Sequence, residues 1–257
     1  MPAPYDLFDY PQYWHSRKYE DLAEKMALKK FLDLVGKKES LVDLGGGYGR
    51  LTPTYLPYVK KILITDPSQN HLKMARENLS ALKSKVKIEY KETSFPDLTL
   101  ADSSFEMALM IRVIHHLADS GATIKEISRI LKDNGYLILE FANKIHFLAI
   151  IKAFLRLDWL FLFNLKPYEQ RSRESIAKKR ILFLNHHPKK IFQDLRKNGF
   201  EIVKYYSVSN FRSPIIKRIL PLKILLFLEN YCQNLLSFFY FGPSIFVLAK
   251  KTHRLDN

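Results

Sequence analysis

The chain has 257 residues, enough to bury one full core with room for an insertion, and its 47% hydrophobic and 26% charged content is that of a globular protein. A single cysteine, Cys232, excludes an internal disulfide and fits a reducing compartment. The net charge of +15 is lopsided: residues 1–142 carry 20 Lys and Arg against 19 Asp and Glu, and residues 143–257 carry 21 against 7. A basic second half predicts an anionic partner, either a membrane surface, a nucleic acid or an acidic substrate. The opening MPAPYDLFDYPQYW lacks the basic-then-apolar order of a secretory signal, so the expected location is cytoplasmic.

Residues 5–20 are rich in aromatics, including Tyr5, Phe8 and Trp14. Tyr19 to Val35 reads as an amphipathic helix with Leu22, Met26, Phe31 and Leu34–Val35 on its apolar side. Ser40 to Leu44 is a short buried strand, followed at once by glycines 45, 46, 47 and 49 and a new helical pattern through Leu51, Tyr55 and Leu56. Ile62 to Thr65 is a second strand ending in Asp66, and Pro67-Ser68 starts a helix that runs to about Lys83. Val86–Tyr90, Phe105–Ile114 and Tyr136–Phe141 are further strands, with a helix at Ala122–Leu131 and a turn at Lys132–Gly135. Alternating strands and helices predict βαβ units and a parallel sheet.

The rhythm then breaks. Ile145 to Leu165 is apolar almost all round, interrupted by Lys152, Arg156 and Asp158. A basic connector follows, with Arg171, Arg173, Lys178, Lys179 and Arg180. Pro188–Lys197 is a helix, Phe200–Val208 a strand, Phe211–Phe241 a second basic-apolar segment and Ser244–Ala249 the last strand, before a charged tail. Both apolar segments contain too many charges to span a bilayer. They suit helices lying over a pocket or on a membrane surface.

The spacing of the glycines narrows the chemistry. A strand, a glycine turn and a helix present backbone N–H groups to a ligand at the carboxyl end of a strand. The run is G-x-G-x-G, which is neither the dinucleotide fingerprint nor a phosphate loop, since no Gly-Lys-Ser/Thr occurs. Asp66, about 20 residues after the glycines, stands where a carboxylate accepts hydrogen bonds from ribose hydroxyls. No histidine or acid spacing suits a metal site.

These blocks resemble the class I S-adenosylmethionine-dependent methyltransferases, in particular the ubiquinone/menaquinone-methyltransferase-like group of small-molecule enzymes (methyltransferase type 11). "LVDLGGGYGR", "ILITDPSQNHLKMAREN", "DSSFEMALMIRVIHHL" and "LKDNGYLILEF" are similar to that family's ordered motifs. "NGFEIVKYY" and "SIFVLAKK" resemble its edge pair, in which the seventh strand inserts between the fifth and sixth. The resemblance implies an α/β fold: a Rossmann-like, seven-stranded, mostly parallel sheet with helices on both faces and helical cap insertions. It implies a single domain over 1–257, with an N-terminal cap helix in 1–36 and basic-apolar cap insertions at 145–187 and 211–241.

It implies further that S-adenosyl-L-methionine lies against Asp43, Gly45, Gly46, Gly47, Gly49, Asp66, Pro67, Ser94, Phe95 and Arg112. The family's adenine-binding acid falls here on Ser94, a departure that leaves adenine to backbone and Phe95 packing, or to Glu92 or Asp97. Trp14, Arg17 and Tyr19 become cap contacts. His115, His116, Arg112 and His187 are the candidate catalytic residues, since an oxygen nucleophile often needs a base. The expected activity is methyl transfer to a small, apolar or membrane-associated acceptor, with an anionic membrane surface as partner and a homodimer as a further expectation. Two alternatives stand beside it: an RNA methyltransferase using the basic half, and a non-catalytic binding module.

Overall fold

The computed structural model describes residues 10–82, 84–171 and 181–252. Tyr5, Phe8, Lys83, the connector residues Arg173, Lys178, Lys179 and Arg180, and the tail beyond Thr252 lie outside the described residues.

The apolar runs of the first half become strands β1 (Lys38–Leu44), β2 (Val59–Asp66), β3 (Lys87–Glu92), β4 (Phe105–Met110) and β5 (Leu131–Ala142). With β8 (Phe200–Val208) and β9 (Ser244–Lys251) they form one seven-stranded sheet in the order β3-β2-β1-β4-β5-β9-β8. All neighbouring pairs among β1 to β5 are parallel, and β9 runs antiparallel between β5 and β8. The expected α/β class and the inserted seventh strand are therefore both found. Strand alternation divides the core between two faces. Leu41, Ile62, Met107 and Leu109 meet helices α2 (Lys18–Val35), α3 (Thr52–Tyr55) and α4 (Gln69–Ser80) on one face. Val42, Ala108, Leu137 and Val247 meet α5 (Ser120–Ile130) and α7 (Pro188–Lys197) on the other. A two-stranded ladder, β6 (Tyr168–Glu169) with β7 (Leu184–Asn185), stands apart from this sheet.

Several elements differ from the sequence reading. The buried stripe of α2 runs through Tyr19, Glu20, Ala23, Glu24, Ala27, Leu28, Phe31 and Leu32, while Leu34 is exposed. Two carboxylates occupy the inward face because each meets a cation there, so hydrophobicity alone rotates the helix the wrong way. β4 stops at Met110, and Ile114–His116 is a 3-10 turn. β5 absorbs the predicted Lys132–Gly135 turn: Phe105 pairs with Leu131 and Met107 with Tyr136, so the intervening residues bulge, with Asn134 at φ 61°.

Neither long apolar segment is one helix. The first is α6 (Phe147–Leu155), then a left-handed Leu157 and a 3-10 turn, Trp159–Leu162, capped by Asp158. The second is α8 (Pro214–Ile219) and α9 (Leu222–Leu235), separated at Pro221, which cannot continue a helix. Among the described residues no helix is long and apolar enough to cross a membrane.

α9 is held by one buried acid. Glu229 accepts hydrogen bonds from the Tyr19 hydroxyl at 2.7 Å and from the backbone N–H groups of Ser209 and Asn210 at 2.8 and 3.1 Å. The network joins α2, α9 and the end of β8. Loss of the acceptor strands several buried donors. Glu229→Ala is therefore expected to lower stability by about 3 kcal/mol, measured by urea denaturation. A loss under about 1 kcal/mol would show that these contacts do not hold α9 in place.

Candidate active site

Parallel strands bring the ends of β1, β2 and β4 to one edge, because Asp43 pairs with both Ile64 and Leu109. The glycine turn leaves that edge. Gly45 and Gly46 both donate their N–H to the Thr65 carbonyl, at 2.8 and 2.9 Å, so the turn is pinned to β2. The glycines then differ in purpose. A Cβ on Gly45 would stand 2.4 Å from Val113, one on Gly46 2.8 Å from Ile64, and one on Gly49 2.9 Å from Leu79. These three let the protein pack on itself. Gly47, at φ +56°, is different: a Cβ there would meet nothing nearer than Asp66 Oδ2 at 4.0 Å.

Asp66 closes the other side of that space. It accepts the Gly47 N–H at 3.1 Å and the Ser68 N–H at 2.9 Å, and its Oδ1 lies 3.2 Å from His71 Nδ1. These contacts use about three of the four acceptor positions of a carboxylate. One remains for a hydroxyl, and the open flank of Gly47 is where a ligand's bulk fits. The residues present thus fit a ribose-bearing cofactor. His71 was not singled out in the sequence; it lies on the first turn of α4, which the Ser68 cap fixes beside Asp66. Further along the edge, Pro67 is half-buried, Ser94 is exposed and Phe95 packs against the α5 face. Glu92 is exposed and bonded to Gln69.

Asp43 is buried behind the glycines and accepts the Tyr55 hydroxyl at 2.7 Å. Burial pushes its carboxyl up to about 6, opposed by the Tyr55 hydrogen bond and the Arg50 charge.

Against this edge lie Trp14 and helix α2. Glu24 is fully buried and takes Arg50 Nη2 at 2.6 Å on one oxygen and Arg112 Nε at 2.7 Å on the other. Asp21 adds a second contact to Arg50 at 2.5 Å. The Trp14 ring lies over both guanidiniums, at 3.6 and 5.4 Å. Of the three expected cap contacts, Trp14 lies over the two arginines, Tyr19 is spent on Glu229 and Arg17 stacks on Tyr13. Arg112 has φ 65°, and its backbone N–H goes to buried Glu140 at 2.9 Å. Its guanidinium is bonded to Glu24 on α2. Glu24 carried a signal in the sequence: it is an acid on the same helical stripe as Phe31.

The histidines separate into two kinds. His187 caps α7, with Nδ1 accepting from Lys189 N–H at 3.1 Å and Nε2 3.0 Å from the Leu162 carbonyl. Both its nitrogens are used in holding loops. His116 Nδ1 lies 2.6 Å from the Leu182 carbonyl. His115 is buried two residues beyond Val113, packs on Phe183 at 4.4 Å, and its Nδ1 has no hydrogen-bond partner. Nearby His186, which also bonds the Ile114 carbonyl, leaves Nε2 unpartnered. Burial holds His115 well below the usual imidazole range and His186 down to about 4, so both are neutral at pH 7.

The Asp43 carboxyl supplies a pH test. The native state keeps its proton between about pH 4 and 6, where the unfolded chain releases it, so stability falls as pH rises through that window. Asn mimics the protonated form. From below pH 4 to above pH 6, wild type should lose about 3 kcal/mol relative to Asp43→Asn, read from paired melting curves. Parallel curves would place Asp43 in contact with solvent.

Comparison with known proteins agrees with this geometry. Residues 42–139 match the Methyltransferase domain family. The chain is 31% identical over 127 residues to the ubiquinone biosynthesis O-methyltransferase of Pelagibacter ubique, covering 48% of this chain and 52% of that protein. It is 28% identical over 115 residues to the ubiquinone/menaquinone biosynthesis C-methyltransferase UbiE of Klebsiella pneumoniae, covering 43% and 46%. The chain thus spans about half the length of the curated relatives it matches. An S-adenosylmethionine-dependent methyltransferase structure from Mesorhizobium loti shares the fold with a TM-score of 0.59 at 17% identity, covering 89% of this chain and 98% of that one. The matched segment contains the glycine turn, Asp66 and the β4 loop, so this part of the chain is similar to the Methyltransferase domain family, and the chain shares the fold of S-adenosylmethionine-dependent methyltransferase structures.

Proposed function

We infer that this protein transfers a methyl group from S-adenosylmethionine to a small, apolar acceptor. The observation that carries the reading is the open Cβ flank of Gly47 beside the Asp66 carboxylate, at the carboxyl ends of neighbouring strands. When bound, the cofactor supplies a methyl group already activated by a cationic sulfur.

The chain's own task is to bind, orient and exclude water. Asp66 accepts a ribose hydroxyl at its remaining acceptor position, and Gly47 leaves room for the sugar and methionine. Pro67, Ser94 and Phe95 flank the adenine, with the Phe95 ring as its packing surface. Asp43 and the remaining glycines hold the turn, while the Glu24 clamp brings Trp14, Arg50 and Arg112 over the cofactor as a lid. We read the chain as a single domain, with residues 10–36 as the cap and the described parts of the two insertions, 145–171, 181–187 and 211–241, beside the mouth.

An acceptor hydroxyl loses a proton as its oxygen attacks. We assign that proton to Nδ1 of His115, a neutral imidazole nitrogen with no competing partner on the loop after β4. His116 and His187 instead hold the surrounding carbonyls. Apolarity of the acceptor is argued from the exposed Leu, Ile and Phe of the two insertions and from the relatives' printed names, both of which concern quinone biosynthesis.

Calorimetry with S-adenosylmethionine tests the cradle. Asp66→Ala should weaken binding by about ten- to a hundredfold, the loss of a charge-assisted hydrogen bond. Gly47→Val should abolish binding with a normal melting curve, since it fills the open flank and is strained at positive φ. Equal affinity in both variants would overturn the site.

Labelled-methyl transfer into fractionated cell extract then tests the acceptor. Label is expected in the lipid-soluble fraction, and label in RNA would favour the nucleic-acid alternative. His115→Gln should lower kcat by about a hundredfold with cofactor affinity unchanged. An unaltered kcat removes His115 as the base.

A further inference from the structure

We propose that the two basic-apolar segments form one surface that docks this protein on an anionic lipid bilayer. The proposal deepens the reading of an apolar acceptor and rests on it for its purpose, but not for its evidence.

The first segment projects as a hook. Of the nine residues of α6, only Ala153 is buried. The left-handed backbone at Leu157 then turns the chain back, so that Leu155, Leu157, Leu160 and Phe163 are each between 73% and 77% exposed. Trp159 stands among them. Asp158, the one acid in this stretch, is spent capping Phe161 N–H. On the second segment, Ile224, Phe227, Tyr231, Leu235 and Phe238 recur at helical spacing along α9 and the turn after it, all exposed. The opposite stripe, Leu225, Glu229 and Gln233, is buried. Monomeric proteins rarely leave so large an apolar face in water.

Topology makes the two segments neighbours. β5 and β8 both run antiparallel to β9, so α6 and α8–α9 leave from the same edge as the glycine turn. Phe147 stacks on Phe241 at 4.7 Å and donates its N–H to the Phe241 carbonyl at 3.0 Å. Buried polar groups anchor the bases of both: Asn143 Nδ2 donates to the carbonyls of Tyr240 and Gly242, and Lys144 Nζ to those of Asn164 and Lys166.

Charge selects the occupant. Lys152, Arg156, Arg218 and Lys223 are exposed on or beside the apolar faces, and the only acid of the second segment, Glu229, is buried. Lys217 is spent on Glu20 at 2.8 Å. A second copy would bring the same positive surface against this one. An anionic bilayer accepts both the cations and the aliphatic side chains, and long basic stems reach back to headgroups as leucines enter the acyl boundary. The exposed aromatics would stack on nucleic-acid bases as well as enter a bilayer, but the leucines and isoleucine among them offer bases no stacking platform and suit acyl chains.

The full chain is mixed with vesicles of phosphatidylcholine and phosphatidylglycerol in equal parts, or of phosphatidylcholine alone, and sedimented. Binding to the anionic vesicles at low salt is expected, at least tenfold stronger than to the neutral ones and weakened by added salt. Fluorescence should shift to the blue with anionic vesicles, and the shift should vanish in Trp159→Phe. The variants Leu155→Ser/Leu160→Ser/Phe163→Ser and Arg156→Glu/Arg218→Glu/Lys223→Glu should each bind at least tenfold more weakly, with unchanged melting temperatures. Should a variant misfold, the wild-type Trp159 signal with brominated lipid decides alone: quenching supports insertion, and its absence overturns it. No sedimentation at low salt, with a concentration-dependent dimer in ultracentrifugation, would make the surface an interface between copies instead. Equal binding to both vesicles, untouched by either variant, would also overturn the proposal. Neither cofactor nor acceptor enters this assay, so its failure is separate from a failure of methyl transfer.

Discussion

A single buried carboxylate, Glu24, ties α2 to the carboxyl edge of the sheet. Each of its oxygens faces a different arginine: Arg50 from the glycine turn and Arg112 from the loop after β4. An unpaired carboxylate in that position would cost several kcal/mol, and two adjacent guanidiniums without it would repel. The clamp therefore specifies three things together: how α2 is rotated, where the turn after β1 ends and how the chain leaves β4. Its geometry explains why Arg112 adopts a left-handed backbone, which aims the guanidinium back at α2. The Trp14 ring lies over both guanidiniums.

The glycines of the turn divide their labour. Gly45, Gly46 and Gly49 are small because another part of the protein needs the space, whereas a Cβ on Gly47 would meet only Asp66 Oδ2, at 4.0 Å. Asp43 illustrates the same principle from the other side. It is an acid of the first motif, yet it sits behind the turn, bonded to Tyr55 and raised in pKa by burial. Motif membership and ligand contact are thus different properties, and geometry separates them.

The carboxyl edge also unites chemistry and surface. β1, β2 and β4 end there with the cradle, and β5 and β8 end there with the apolar insertions. Asn143, Lys144 and His187, all buried and all bonded to loop carbonyls, convert the edge into a rigid base for those insertions. An apolar acceptor arriving from a membrane would meet the insertions before the pocket.

Local pattern alone determined much of this protein. Strand runs, turn residues and the order of motifs were enough for the α/β class, the inserted seventh strand, and the places of Gly47 and Asp66, because backbone geometry and period-two burial are written in adjacent residues. Three features were decided only by tertiary structure. The face of α2 depended on cations at positions 50, 112 and 217, far along the chain, which make Glu24 (with Arg50 and Arg112) and Glu20 (with Lys217) cheaper to bury than Leu34. The roles of His115, His116 and His187 depended on which distant carbonyls and amides filled their nitrogens. The long apolar segments broke where Leu157 and Pro221 turned the chain, and their outward faces stayed exposed because the sheet's two faces were already covered by α2 to α5 and α7. In each case the deciding partner lies far away in sequence, so its effect exists only once the chain has folded.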